Sequence, residues 1–281
     1  MNSQQLADAF KAACMAELQA LKPGNVHIFA DGHGMTVQDF MASAEAAAIV
    51  IAQPNLSLGE RILLSVQATQ KAVGKNTNLG IILLCAPLIQ AALNQDNTSL
   101  LHRLNAVLIN TTVDDADYTF TAIRLANPAG LGESDQYDVN QPATGTLLQA
   151  MQQAATRVNQ RDLIAQQYAN NFADVIAGVL RYKQANTQWQ CPAWAVTAVH
   201  LHFMSSFLDS HIVRKFGETI ARLVQNEATA IEEEFLKSYN PKNYLAPLLR
   251  FDTDLKKRGL NPGTSADLTV ATLFLQSLLA G

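Results

Sequence analysis

Charge is scarce in this chain. Only 16% of its 281 residues are Asp, Glu, Lys or Arg, against about a quarter in ordinary globular domains. The net charge is −4 and no basic block occurs, which argues against a nucleic-acid partner, because such proteins present a basic face. Cysteine is nearly absent as well: Cys14, Cys85 and Cys191 lie far apart in apolar settings. That spacing offers no zinc pair, and an odd count argues against a disulfide framework. Buried thiols in a reducing cytoplasm are expected. No apolar run reaches the roughly 18 residues of a membrane span. Met1 to Phe10 carries polar residues where a secretion signal needs an apolar run. A cytoplasmic location follows as the expectation, with small molecules as partners.

Strand signals are few too. Apolar residues make up 48% and recur at spacings of three and four, the period of a helix with one buried face. The pattern predicts helices over Ser3–Leu21, from Thr36 past Ile51, from the Ser57/Glu60 capping box to Val73-Gly74, and over Ile81–Leu93. Further helices are expected over Leu100–Ile109, over Thr112–Ala126 with its cap near Asp114, and over Thr144–Asn159. Then follow Asp162–Lys183 as one long helix, Ala195–Phe207, Glu218–Tyr239, one from Phe251 to Lys257, and Leu268–Leu279. With no repeat, linker or low-complexity tract, residues 1–281 read as one all-α multi-helix domain around a central buried bundle. Glu17 is expected to lean to solvent from the edge of the first apolar stripe. Glu45, on an alanine-rich surface, either faces solvent or points into a site. Glu232, Glu233 and Glu234 read as a solvated face.

Polar groups concentrate at the starts of the apolar helices. Lys22-Pro23-Gly24-Asn25-Val26-His27, continuing to His33-Gly34, is a long loop rich in donors and ligands. Asn76-Thr77-Asn78 leads into the first apolar helix. Asn261-Pro262-Gly263-Thr264-Ser265-Ala266-Asp267-Leu268 leads into the last. There Thr264 or Ser265 is a candidate cap and Asp267 sits in the first turn. A helix start of hydroxyls, free N–H groups and a carboxylate suits an anion or a metal-bound phosphate, and two such junctions could converge on one cleft. Asp209-Ser210-His211, with Arg214 and Lys215 close behind, places an acid and two cations at the mouth of the core, where Arg and Lys suit phosphate oxygens. The loop Asn127–Pro142 is long enough for a lid or substrate loop, with Asp138 and Asn140 as its residues of interest.

In this order the blocks resemble the triphosphoribosyl-dephospho-CoA synthase family. Lys22-Pro23-Gly24-Asn25-Val26 matches that family's Lys-Pro-Gly-x-Val. The closing Asn261–Leu268 block is similar to its Ser-Pro-Gly-Gly-Ser-Ala-Asp-Leu. Asn76–Gly80 stands where the family has Asn-Thr-His-Lys-Gly, and Asp209–Ile212 where it has Asp-Thr-Asn-Val. The resemblance implies an all-helical transferase that moves a triphosphoribosyl group from ATP to the ribose 2′-hydroxyl of 3′-dephospho-CoA with release of adenine. On that reading Asp209 and Asp267 are the two essential acids, either of them serving as base or as ligand of Mg²⁺. Around them Lys22, Gly24, Asn25, His27, Asn76, Thr77, Asn78, Ser210, His211, Arg214, Lys215, Gly263, Thr264 and Ser265 would hold substrate.

The departures are the missing His and Lys of the second block, Arg214-Lys215-Phe216-Gly217 for Arg-Gly-Gly after the third, Thr264 for a Gly in the fourth, and Ala20-Leu21 for Thr-Pro before Lys22. They resemble members found outside lyase gene clusters, including those accompanying tetrahydromethanopterin-linked one-carbon metabolism. A ribosyl or phosphoribosyl transfer in that chemistry is the alternative, and a non-catalytic helical nucleotide-binding or scaffold protein a third. A homodimer is left open.

Overall fold

The computed structural model of the protein describes residues 1–128, 136–157 and 161–280. Two apolar helices form its middle: α4 (Leu79–Leu93) and α14 (Gly263–Ala280), both buried along most of their length. They pack on each other. Leu268, Val270, Phe274 and Leu275 of α14 are fully buried, and burying each such side chain contributes about 1.5–3 kcal/mol. Around this pair run α1 (Ser3–Gln19), α2 (Val37–Ile51), α3 (Leu58–Val73), α5 (Leu100–Ile109), α6 (Val113–Ala126), α7 (Leu147–Thr156), α8 (Leu163–Ala169), α9 (Ala173–Trp189), α10 (Pro192–Ser206), α11 (Ser210–Phe216), α12 (Glu218–Lys237) and α13 (Leu245–Lys257). A 3₁₀ turn, Pro241–Tyr244, precedes α13, and no strand occurs among the described residues. The chain is all-α, as the periodicity predicts. α14 touches α1, α4, α9 and α10, which makes it the axis of the bundle.

Proline inside α4 would ordinarily break it, because Pro87 has no N–H for the carbonyl of Leu83. The Tyr168 hydroxyl supplies the missing donor, 2.7 Å from Leu83 O, so α8 repairs the ladder of α4. Helix starts are set by side chains. Asn2/Gln5, Thr36/Asp39, Ser57/Glu60, Thr112/Asp115 and Thr146/Gln149 all form reciprocal capping boxes. The cap of α6 is thus Thr112, two residues before Asp114. Asp115 also accepts the Gly59 amide at 2.7 Å, tying α6 to α3.

Several expectations are corrected. The single helix over Asp162–Lys183 is two, broken at Asn171 and Phe172, both with φ near +60°. Asn tolerates that conformation, and the turn is held by the Asp174 carboxylate, which collects the side-chain amides of Gln166, Gln167 and Asn170. α13 begins at Leu245, a full turn and more before Phe251. α14 begins at Gly263, so Thr264 and Ser265 lie inside its first turn instead of capping it. Glu17 is buried, Glu45 is exposed and pairs with Lys11, and Glu232 is buried beside Arg181 and His202.

Candidate functional site

The loop after α1 is tied down by buried polar contacts. The Lys22 ammonium is fully buried and donates to Glu17, to Asn25 Oδ1 at 2.9 Å and to the Val26 carbonyl at 2.7 Å. An ammonium has three N–H donors, so none is left for a substrate phosphate. Asn25 passes the connection on, donating from Nδ2 to Asn261 Oδ1 at 2.8 Å. The Gly24 amide donates to Asp252 Oδ1 at 2.9 Å. Gly24 has φ +83°, and a Cβ there would meet Pro262 Cδ at 2.7 Å. Only glycine allows this conformation and approach together, so the Lys-Pro-Gly-Asn loop seats directly on the Asn-Pro-Gly-Thr turn that starts α14.

α14 meets α4 through a second glycine. A side chain at Gly80, in the first turn of α4, would overlap the Asp267 carboxylate and meet Ile164 Cδ1 at 2.8 Å. The bare glycine backbone lets the two helix starts converge. Between them opens a cleft of about 240 Å³ lined by Asn76, Thr77, Asn78 and Gly80 from α4 and its approach, and by Asn261, Gly263, Thr264 and Asp267 from α14. His211 and Arg214 of α11, Glu17 of α1, and Arg157 at the end of α7 complete its polar side. Phe40, Phe120, Ile123, Tyr137 and Met151 give it an apolar wall. The backbone N–H groups of Gly80, Ile81 and Thr264 have no hydrogen-bond partner among the described residues. Arg214 points its guanidinium to Asp162 at 2.9 Å. Burial pushes the His211 imidazole below its usual range, with Asp209 opposing and Arg214 reinforcing the shift.

Asp267 has no hydrogen-bond or ion-pair partner among the described residues. Burial drives its carboxyl well above the usual carboxylate range, and the nearby charges of Glu17 and Asp209 raise it further, while Arg214 and Lys22 pull it down. Asp209 differs. One of its oxygens accepts the amides of His211 and Ile212 at the start of α11, and the other accepts the amide and hydroxyl of Ser265 in α14 at 2.8 Å each. This carboxylate caps two helices at once and has no oxygen to offer a sugar or a metal. The structure thus gives Asp209, expected as a reacting acid and metal ligand, the part of a clamp that sets α11 against α14.

The sequence-predicted residues thus divide. Asn25, Asn76, Thr77, Asn78, His211, Arg214, Gly263, Thr264 and Asp267 share the cleft. Lys22, Gly24, Asp209 and Ser265 stand behind it as its support. Ser210 is buried, accepting the Leu163 amide and donating to Arg161 O. His27 is turned away toward Asp252 and Lys256. Lys215 is exposed over the Phe216 ring. Asn140 is exposed and Asp138 accepts its amide at 2.7 Å. It is Pro128, Tyr137 and Val139 of that loop that reach the cleft, and residues 129–135 of the expected lid lie outside the described residues. Glu17, Asn261, Gly80, Arg157 and Asp162 were not singled out as site residues from the sequence, though Asn261 and Gly80 stood inside its blocks. Among the described residues no group of three His, Cys, Asp or Glu side chains is arranged to hold a metal ion. Asp209 is committed to four donors and one oxygen of Glu17 to Lys22, which leaves Asp267 and the second oxygen of Glu17 as the open carboxyl oxygens of the cleft.

An all-helical bundle closing on a cleft between two helix starts, with the half-buried Asp267 and Arg214 in its wall, is the class that fold and site define. The chain matches the CitG family, ATP:dephospho-CoA triphosphoribosyl transferase, over residues 3–281, and belongs to it. A curated relative, the 2-(5″-triphosphoribosyl)-3′-dephosphocoenzyme-A synthase of Haemophilus ducreyi, is 28% identical over 147 residues. That alignment spans 52% of this chain and 42% of the relative, less than half of its length. A crystal structure from Archaeoglobus fulgidus, described provisionally as a triphosphoribosyl-dephospho-CoA synthase, superposes with a TM-score of 0.64. It covers 84% of this chain and 97% of its own, at 24% identity, and shares the fold. No helix among the described residues is long and apolar enough to cross a membrane.

Proposed function

We propose that the protein transfers a triphosphoribosyl group from ATP to a hydroxyl acceptor, 3′-dephospho-CoA in the first instance, and releases adenine. The observation that carries this reading is the convergence of two helix starts, with unpaired amides at Gly80, Ile81 and Thr264, on the cleft that holds Asp267 and Arg214. Amides at helix starts attract phosphate oxygens, and guanidinium groups bind them in pairs. Arg214, shared with Asp162, and Arg157 place guanidinium groups on the polar side of the cleft, where they suit triphosphate oxygens. Displacement at the ribose C1′ passes through a transition state of oxocarbenium character, which a carboxyl group at close range assists. Asp267 is the acid free to do so. The apolar wall of Phe120, Tyr137 and Met151 suits the flat base or the pantetheine arm. Mg²⁺, on this reading, enters with the triphosphate and leaves with it. ATP as donor and the free, largely buried thiols support a cytoplasmic enzyme. A homodimer is compatible with the reading and is read directly from sedimentation.

Incubating the protein with ATP and dephospho-CoA and assaying free adenine tests the proposal. Adenine should appear in step with a triphosphoribosylated acceptor. If adenine appears only with a different hydroxyl acceptor, such as a pterin precursor, the site assignment stands and the acceptor changes.

A further inference from the structure

Glu17 came from the first helix, outside every block that suggested the site. It lines the cleft although only 4% of its surface is exposed. One of its carboxylate oxygens is engaged by Lys22. The other has no hydrogen-bond partner among the described residues. Asp267, in the same cleft, has no partner among the described residues and lies within electrostatic reach of Glu17. Two carboxyls in one confined cleft, one beside a buried ammonium and one without a cation in contact, divide their protons unequally. The ammonium is locked by three acceptors, so its charge stays beside Glu17 and not beside Asp267.

Resting on the transferase reading above, we propose that Glu17 is the second acid of the reaction centre, the base that takes the acceptor's proton while Asp267 gives one to the departing adenine. The C1′–N bond breaks and its electron pair goes to adenine, which receives the Asp267 proton. The C1′–O bond forms from the acceptor hydroxyl, whose proton goes to the free oxygen of Glu17. Transfer of that proton from Glu17 to Asp267 restores the pair, so the cycle needs no outside acid or base. The groups facing the pair are Lys22 from the loop after α1, Asp209 and Arg214 from the start and end of α11, and the Cys14 and Cys85 thiols, which burial pushes up out of the reactive range. Burial raises Glu17 itself, with Lys22 pulling it back. The three saturated donors of Lys22 favour the ionised pair.

The decisive variants are Glu17→Gln and the double change Glu17→Gln with Lys22→Met, which removes the buried charge pair together and so spares the fold an unpaired ammonium. Circular dichroism checks folding. For the folded double variant, kcat of adenine release should fall about 100-fold or more, with KM for ATP changed less than about threefold. The rising acid limb of the pH profile should disappear. Turnover by the double variant at the wild-type rate would overturn the role of Glu17 and leave the transferase reading intact, since wild-type adenine release tests that reading separately. A readout without turnover covers the other case. In infrared spectra, the protonated-carboxyl band that Asp267→Asn removes should titrate at lower pH in Glu17→Gln than in the wild type. An unchanged titration would refute the coupling of the two acids whatever the reaction proves to be.

Discussion

At the scale of single residues, Asp267 joins a stability cost to the chemistry proposed for it. Its carboxyl is raised in the folded protein by burial first and by Glu17 next. Between the unfolded value and the raised folded one, the native state binds more protons than the unfolded chain. Stability therefore falls as pH rises through that window and is unaffected below about pH 4, where both states are protonated. Asp267→Asn removes the titration, so its Tm should exceed the wild type's at pH 7, and the difference should vanish toward pH 4. The same variant should lose adenine release by about 100-fold or more with helical content intact. A melting series over pH, beside an adenine assay, checks both. Gly80→Ala sets a methyl group on the Asp267 carboxylate. It should impair turnover and cost about 1–3 kcal/mol as an overpacking change, measurable by urea denaturation. Asp267 was legible in the sequence because a carboxylate in the first turn of an apolar helix is conspicuous. Glu17 was not, because its burial depends on Lys22 returning beneath it from a loop, and spacing alone does not show where an ammonium points.

At the scale of elements, the caps carry the architecture. Asp209 holds the starts of α11 and α14 with one carboxylate, and losing a cap costs about 0.5–2 kcal/mol at each helix. Asp209→Ala should lower Tm by several degrees, and any loss of activity should follow the loss of folded protein. Asp209→Asn, which keeps an acceptor oxygen, should retain turnover at low temperature. Abolished chemistry in well-folded Asp209→Asn would instead return Asp209 to the reacting groups. Long apolar helices such as α4 and α14 were legible from periodicity alone. The break between α8 and α9 was not, since no Gly or Pro marks it. Its cause is a set of Gln and Asn amides gathered on Asp174, a tertiary arrangement that overrides local helix preference. The lysine of the Lys-Pro-Gly block was legible as important but not in its role. It stabilises the loop from within and does not reach the cleft.

At the scale of the whole molecule, segments from both ends of the chain meet because Gly24 seats on Pro262 and Gly80 on Asp267. ATP binding to the cleft should stabilise the fold by about 2.7 kcal/mol at a hundredfold excess over Kd. Arg214→Ala should reduce that thermal shift, which differential scanning fluorimetry measures. The convergence was legible only as a possibility, because two polar helix starts far apart in sequence carry no sign of their distance in space. The most direct test of the central claim follows the fate of ATP when the protein meets dephospho-CoA. The expected result is one adenine released for each acceptor that gains an intact triphosphoribosyl group. ATP consumed with release of phosphate or pyrophosphate, or no adenine with any hydroxyl acceptor, would contradict it.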